Sequence, residues 1–369
     1  MKIVTAGILN PAGEGDRSVA SRPCVVALGD GSLLAAYRVG SAKDSEDERV
    51  ELRRSADGGR TWGEPWAPFA STVGGVRGTV PLVCLSRLDG GRLLAVGMWV
   101  NREAYPGQPL FNAQTEGCLP MAILVADSAD AGRTWSPWRR VAVPKEIGPP
   151  SLTSPILRFA DGSLAISVET NKEYLDSSAW RQRVVYFRSF DEGKTWGQPE
   201  PISEDPAQGI FYWDQRAAVA PDGRLVTFSW TYDRRKNVYL NIQRNLSRDR
   251  GASWSGFEDM GFSDQPSRPA ILANGKVLLA WVDRFGTSSI RARLAQAVDA
   301  PFPASTEVVL YEHGKKAASS QDTGELLADM GQWSYGLPYA EAMPDGEVLI
   351  VYYAGTNRRM GIHWARLAP

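Results

Sequence analysis

Four times along this chain the same turn is written, Ser-x-Asp-x-Gly-x-Thr/Ser-Trp: at Ser55 to Trp62, Ser128 to Trp135, Ser189 to Trp196 and Ser247 to Trp254. Each position has a physical task. The Asp carboxylate accepts backbone N–H bonds inside the turn, the Gly permits left-handed backbone, and the Trp packs back between adjacent sheets. A turn repeated at fixed register marks a chain built from copies of one supersecondary unit, each covering its neighbour's apolar face.

A second repeat lies upstream of these turns, an apolar strand, a tight Asp-Gly or Asn-Gly corner and another apolar strand, as expected for two buried antiparallel strands. It occurs six times: Pro23 to Tyr37, Pro81 to Trp99, Pro155 to Val168, Ala217 to Trp230, Pro269 to Trp281 and Tyr339 to Tyr353. Combining the two repeats predicts an all-β, six-bladed β-propeller with four-stranded antiparallel blades, the Asp turn joining the third and fourth strands. The last blade has room for three strands only, whereas Lys2 to Leu9 is a β-prone stretch without a partner. The amino-terminal strand is therefore expected to join the carboxy-terminal blade and close the ring, with residues 1–369 forming one domain.

Composition narrows the function. With 41 Lys+Arg against 42 Asp+Glu, the net charge of −1 gives no field to draw the chain onto nucleic acid or an anionic membrane. No apolar run approaches the ~20 residues of a membrane span and no signal-peptide pattern opens the chain, so the expectation is a soluble, cytoplasmic protein. Cys24, Cys84 and Cys118 lack CxxC spacing and read as buried small hydrophobes, and two histidines support neither a zinc cluster nor a His-centred triad. No phosphate-cradling loop is present. No cofactor or metal is expected, and the expected partner is a small-molecule or oligosaccharide substrate.

The richest local cluster is Phe211-Tyr-Trp-Asp-Gln-Arg216. Trp213 offers a ring to the apolar face of a pyranose, and Asp214 and Gln215 offer paired hydrogen bonds to hydroxyls. A structural ion pair between Asp214 and Arg216, on alternate positions of one strand, is the competing reading. Glu169, at the end of the apolar strand Ser163 to Val168, is a candidate pocket acid.

The Asp turns, with Arg53-Arg-Ser-Ala-Asp57-Gly-Gly-Arg-Thr-Trp62 the fullest copy, resemble those of the sialidase (neuraminidase) superfamily of six-bladed Asp-box, or BNR-repeat, propellers. The resemblance runs over essentially the whole chain. It implies an exo-acting glycoside hydrolase for a terminal acidic sugar, with the active site opposite the Asp boxes. Such enzymes hold the sugar carboxylate with three arginines, use an Asp from the first blade's loop as acid/base and attack with a Glu-activated Tyr. On these positions the resemblance implies Arg22, Arg216 and Arg268 as carboxylate ligands, with Arg284 in reserve. It also implies Asp47 as acid/base and Tyr335 as nucleophile, with Glu169 and Asp214 as further catalytic candidates and Asp283 as a substrate-binding group. Arg22-Pro23 is one residue short of the family's Arg-Ile-Pro, so Arg22 faces the pocket only if a bulge compensates. Tyr335 stands two residues further from its hairpin than the family's tyrosine, with Leu337-Pro338 in that place. A lyase acting at a uronate and a non-catalytic glycan-binding propeller are the alternatives.

Overall fold

The computed structural model describes residues 1–314 and 331–369. Their strands form a propeller of antiparallel sheets, four of them separate. Gly78–Arg87, Leu93–Asn101, Met121–Ser128 and Arg139–Arg140 make one four-stranded sheet. Three five-stranded sheets follow, each with its longest strands in the same up-and-down order, centred on Leu164–Glu169, Leu225–Asp233 and Val277–Asp283. The remaining strands, from both ends of the chain, share one seven-stranded sheet.

The expectation of six separate four-stranded blades, and with it the six-bladed form of the family resemblance, is corrected here. The first and last repeats do not stand apart. Lys2–Asn10 pairs antiparallel with Arg359–Ala368, from Lys2 opposite Ala368 to Asn10 opposite Ile362, which is the expected closure. Residues 11–18 then turn back so tightly that the next strand, Val19–Ala27, starts beside the same carboxy-terminal strand. Val19 pairs parallel with Met360, and Met360 N–H donates to Ser18 O at 3.1 Å. Four discrete blades and one double-width closing sheet result.

The Asp turns do what their composition demands. In the first, Ser55 Oγ donates to Asp57 Oδ1 at 2.8 Å, Thr61 N–H and Oγ1–H donate to the same carboxylate at 2.9 and 2.6 Å, and Trp62 Nε1–H reaches Gly59 O at 3.0 Å. The other three repeat the carboxylate bonds, with Thr134, Thr195 and Ser253 as the hydroxyl donors, and the indole bond recurs at Trp135 and Trp254. Burial works against it, yet the bonds from Thr61 and Ser55 hold the Asp57 carboxyl at about 2. Gly132, at φ 85°, shows why the turn needs glycine: a Cβ there would lie 2.4 Å from Leu34 Cδ2 of the neighbouring sheet. Between the sheets lies a continuous apolar core that includes Val25, Leu34, Leu94, Val96 and Ile123, all essentially without solvent exposure. All three cysteines are buried and unpaired as disulfides.

Candidate functional site

One local irregularity recurs in the innermost strands and builds the site. Between Ser21 and Cys24 the first strand advances three residues while its partner, Arg38 to Ala36, advances two. The same one-residue bulge lies between Thr79 and Leu82, between Trp213 and Arg216, and between Gly336 and Tyr339. Such a bulge re-aims side chains and increases local twist. At three of the four its first residue has left-handed backbone: Arg22 at φ 52°, Asp214 at φ 45° and Leu337 at φ 44°. Non-glycine residues are costly in this region and concentrate where the surrounding structure enforces a functional geometry. The offset in Arg22-Pro23 is thus compensated by a bulge, and Arg22 faces the centre.

The bulges surround a central chamber. Its walls carry Arg22, Glu169, Trp213, Asp214, Arg216, Arg268 and Arg284 from the residues picked out in the sequence, joined by Lys43, Phe111, Trp180, Trp230, Trp333, Tyr339 and Tyr353. The chamber continues outward, past Arg22, Lys43, Leu110 and Phe111, into a polar vestibule bordered by Arg102, Gln108, Asn112 and Tyr174. One wall is aromatic: Trp213 stacks on Tyr232 at 5.1 Å and meets Trp230 edge-on at 5.9 Å.

Most of the guanidiniums are already engaged. Arg216 Nη2–H donates to Asp214 Oδ1 at 3.1 Å, so the ion pair weighed for this strand is present, but both groups line the chamber. Asp214 Oδ2 also accepts from Gln265, and Arg216 reaches Thr153 O. Arg268 pairs with Glu341 at 2.7 Å and lies over the Tyr339 ring. Arg284 pairs with Asp264 at 3.0 Å, donates to Gln265 Oε1 at 2.6 Å, and sits 4.0 Å from the Trp333 ring centre. Arg22 differs: it makes no ion pair among the described residues, and its Nη1 is buried without a hydrogen-bond partner. Buried donors are almost always satisfied in native proteins, so an orphaned guanidinium N–H in a cavity wall marks a place for an acceptor from outside.

Glu169 is only 7% exposed and accepts the Gln215 N–H at 3.4 Å. Burial, reinforced by the negative charge of Asp214, holds its carboxyl well above the usual range. Burial pushes the Lys43 ammonium well below its ordinary value, and the charges of Arg22, Arg284 and Arg38 push the same way.

Four of the expected residues lie elsewhere. Asp47 is exposed and caps its own loop, accepting Ser41 N–H and Oγ–H, both at 3.1 Å. The neighbouring acids of this loop also have structural duties: Asp44 holds Arg102 and Leu110 N–H, and Glu46 holds Arg77 and Gly107 N–H. Gln215 follows Asp214 in the strand and so points the other way, donating Nε2–H to Ser203 Oγ and Ser229 Oγ inside the sheet. Asp283 caps a turn by accepting Gly286 N–H and Thr287 N–H at 2.8 and 2.9 Å. Tyr335 precedes its bulge and packs between sheets, its ring 4.7 Å from that of His313, and burial pushes its hydroxyl up to about 12. Leu337 and Pro338 take the wall position instead. Lys43 carried a signal that reading passed over, a cation in the loop after a second strand. Trp180, Trp333 and Phe111 come from irregular segments with no pattern to announce them.

No family model matches the chain. A curated sialidase of Micromonospora viridifaciens is 25% identical over 363 residues, covering 91% of this chain and 50% of the relative, so the chain spans about half the length of the curated relative it matches. Among solved structures, a Dyadobacter fermentans protein of unknown function superposes with a TM-score of 0.75 at 20% identity, covering 99% of this chain and 98% of the other. The Hadza microbial sialidase Hz136 superposes with a TM-score of 0.66 at 17% identity, covering 98% of this chain and 68% of that one. The fold is thus that of a β-propeller related to the sialidase and BNR-repeat proteins, here with four discrete blades and a seven-stranded closing sheet.

Proposed function

We propose that this chain is a sialidase-like glycosidase that admits a terminal acidic sugar, of sialic or uronic type, from a small glycoside into the central chamber. The observation that carries this reading is the buried, unpartnered Nη1 of Arg22 in the chamber wall. A carboxylate satisfies it, and a charge-assisted bond there is roughly twice as strong as a neutral one. Trp213 and Trp180 supply apolar faces for the ring. Glu169, whose carboxyl is pushed well above its ordinary range by burial and by the charge of Asp214, is the acid that protonates the leaving oxygen. Asp214, anchored by Arg216 and Gln265, is the carboxylate that activates water at the anomeric carbon.

The test is hydrolysis of a panel of fluorogenic sialosides and uronides beside their neutral counterparts. Turnover is expected for acidic glycosides only, falling as pH rises through the raised pKa of Glu169, and Glu169→Gln is expected to lower kcat by about 10²–10⁴ with binding retained. Equal turnover of neutral glycosides, or an unimpaired Glu169→Gln, overturns it. The position of Tyr335 outside the chamber favours one second reading, a glycan-binding propeller without turnover. Binding of acidic sugars with no hydrolysis across the panel selects it.

A further inference from the structure

Cys24 and Cys84 stand on the innermost strands of two neighbouring sheets, Val19–Ala27 of the closing sheet and Gly78–Arg87 of the next. Each follows the bulge of its strand. Leu85 N–H donates to Cys24 Sγ at 3.3 Å, which seats that sulfur against the peptide unit joining Cys84 to Leu85, and the two thiols are hydrogen-bonded to each other. Cys84 lines the central chamber together with Arg268 and Tyr339, and Cys24, bonded to it, is fully buried. Burial opposes ionisation of Cys24, yet the bonds from the Cys84 thiol, the Leu85 N–H and the Tyr339 hydroxyl hold its thiol below the ordinary value. Cys118 is the contrast within the same chain: it borders neither the chamber nor the vestibule, and burial, with the charges of Glu169 and Glu173, pushes its thiol well above the ordinary value. A sulfur whose anion is supported by hydrogen-bond donors is reactive, whereas a buried thiol without such support is inert.

We propose that Cys24 and Cys84 form a reversible dithiol–disulfide couple in the chamber wall, oxidised by a small hydroperoxide that enters through the chamber. With hydrogen peroxide, the Cys84 sulfur attacks one peroxide oxygen, the O–O bond breaks, and the departing oxygen leaves as water with the thiol proton, so that Cys84 becomes a sulfenic acid. The Cys24 sulfur then attacks the Cys84 sulfur, the S–OH bond breaks, and the hydroxyl leaves as a second water with the Cys24 proton. Two thiols are oxidised to one disulfide and one peroxide is reduced to two waters. The new bond ties the closing sheet to its neighbour two residues along the strand from Arg22. The inference rests on the placement of the two thiols and not on hydrolysis or on the ligand of Arg22.

The experiment is oxidation of the folded full chain with hydrogen peroxide, followed by unfolding in iodoacetamide and peptide mass mapping. The untreated chain is expected to take up three alkyl groups, one on each cysteine. The oxidised chain is expected to take up one, on Cys118, with the Cys24 and Cys84 peptides recovered as a linked pair that dithiothreitol separates. Cys84→Ser should abolish the linked pair, and Cys118→Ser should leave it unchanged. Three alkyl groups after peroxide, a link through Cys118 or between chains, or Cys84 driven to sulfinic acid while Cys24 is still alkylated, overturns the couple.

Discussion

Among the described residues Arg284 pairs with one carboxylate, that of Asp264, and removing that carboxylate has a calculable cost. Both side chains of the Arg284–Asp264 pair are 1% exposed and bonded at 3.0 Å. Asp264→Ala leaves a buried guanidinium supported by Gln265 and two indole rings, a loss of about 3–5 kcal/mol. An unfolding entropy of about 2.1 cal/mol/K per residue over 369 residues gives roughly 0.8 kcal/mol/K, so 4 kcal/mol lowers Tm by about 5 °C. Scanning calorimetry at pH 7.5 measures this. Asp264→Asn combined with Arg284→Met, which removes both charges at similar volume, should recover most of the loss, because the stranded cation and not the missing contact is what costs. There is also a pH signature. Burial raises the Asp264 carboxyl, Arg284 lowers it, and the balance stands at about 6. A folded-state value above the unfolded one gives a contribution fully present below about pH 4 and lost as pH rises through 6. The wild type should show that slope and Asp264→Ala should not. A Tm change under about 1 °C in Asp264→Ala, or a double variant no better than the single one, refutes the reasoning.

Three further outcomes follow from the same structure. Asp47→Ala is expected to leave chamber ligand affinity within about twofold of wild type, since its carboxylate caps Ser41 outside the chamber; a larger loss in a binding titration returns Asp47 to the site. Deleting residues 1–10 removes the strand paired along Arg359–Ala368, together with buried Leu9, and should lower Tm by several degrees; unchanged melting contradicts the closure. The Asp57, Asp191 and Asp249 carboxyls, each at about 2 in the folded chain, contribute stability above about pH 4 that is lost as pH falls through 2, so acid titration followed by tryptophan fluorescence should show cooperative loss in that window.

The parts of this fold that sequence made readable are those whose bonds are local. The hydrogen bonds that the Ser and Asp side chains make inside an Asp turn join residues no more than four apart, so Ser55, Asp57, Gly59 and Thr61 announce their geometry by spacing alone. The closing sheet could not be read this way, because Val19 and Met360 meet only after the ring is complete and nothing near either residue encodes the pairing. In the site, alternation alone sets the consecutive Trp213 and Asp214 on opposite faces and turns Arg22 away, and it is the bulges that bring all three to the chamber wall. A bulge reverses which neighbours face the chamber, and so Leu337 reaches the wall while Tyr335 packs between sheets. The acidic loop drew attention to Asp47, although its acids clamp neighbouring backbone and its lysine reaches the site. Long-range capture of Arg102 and Leu110 by Asp44 leaves no local pattern.

The most direct measurement is calorimetric titration of the chain with free sialic and uronic acids and with neutral sugars of the same ring size, repeated on Arg22→Ala. The predicted result is binding of the acidic sugars alone, abolished in Arg22→Ala. Equal binding of neutral sugars, or undiminished acid binding in the variant, contradicts an acidic-sugar chamber built around Arg22.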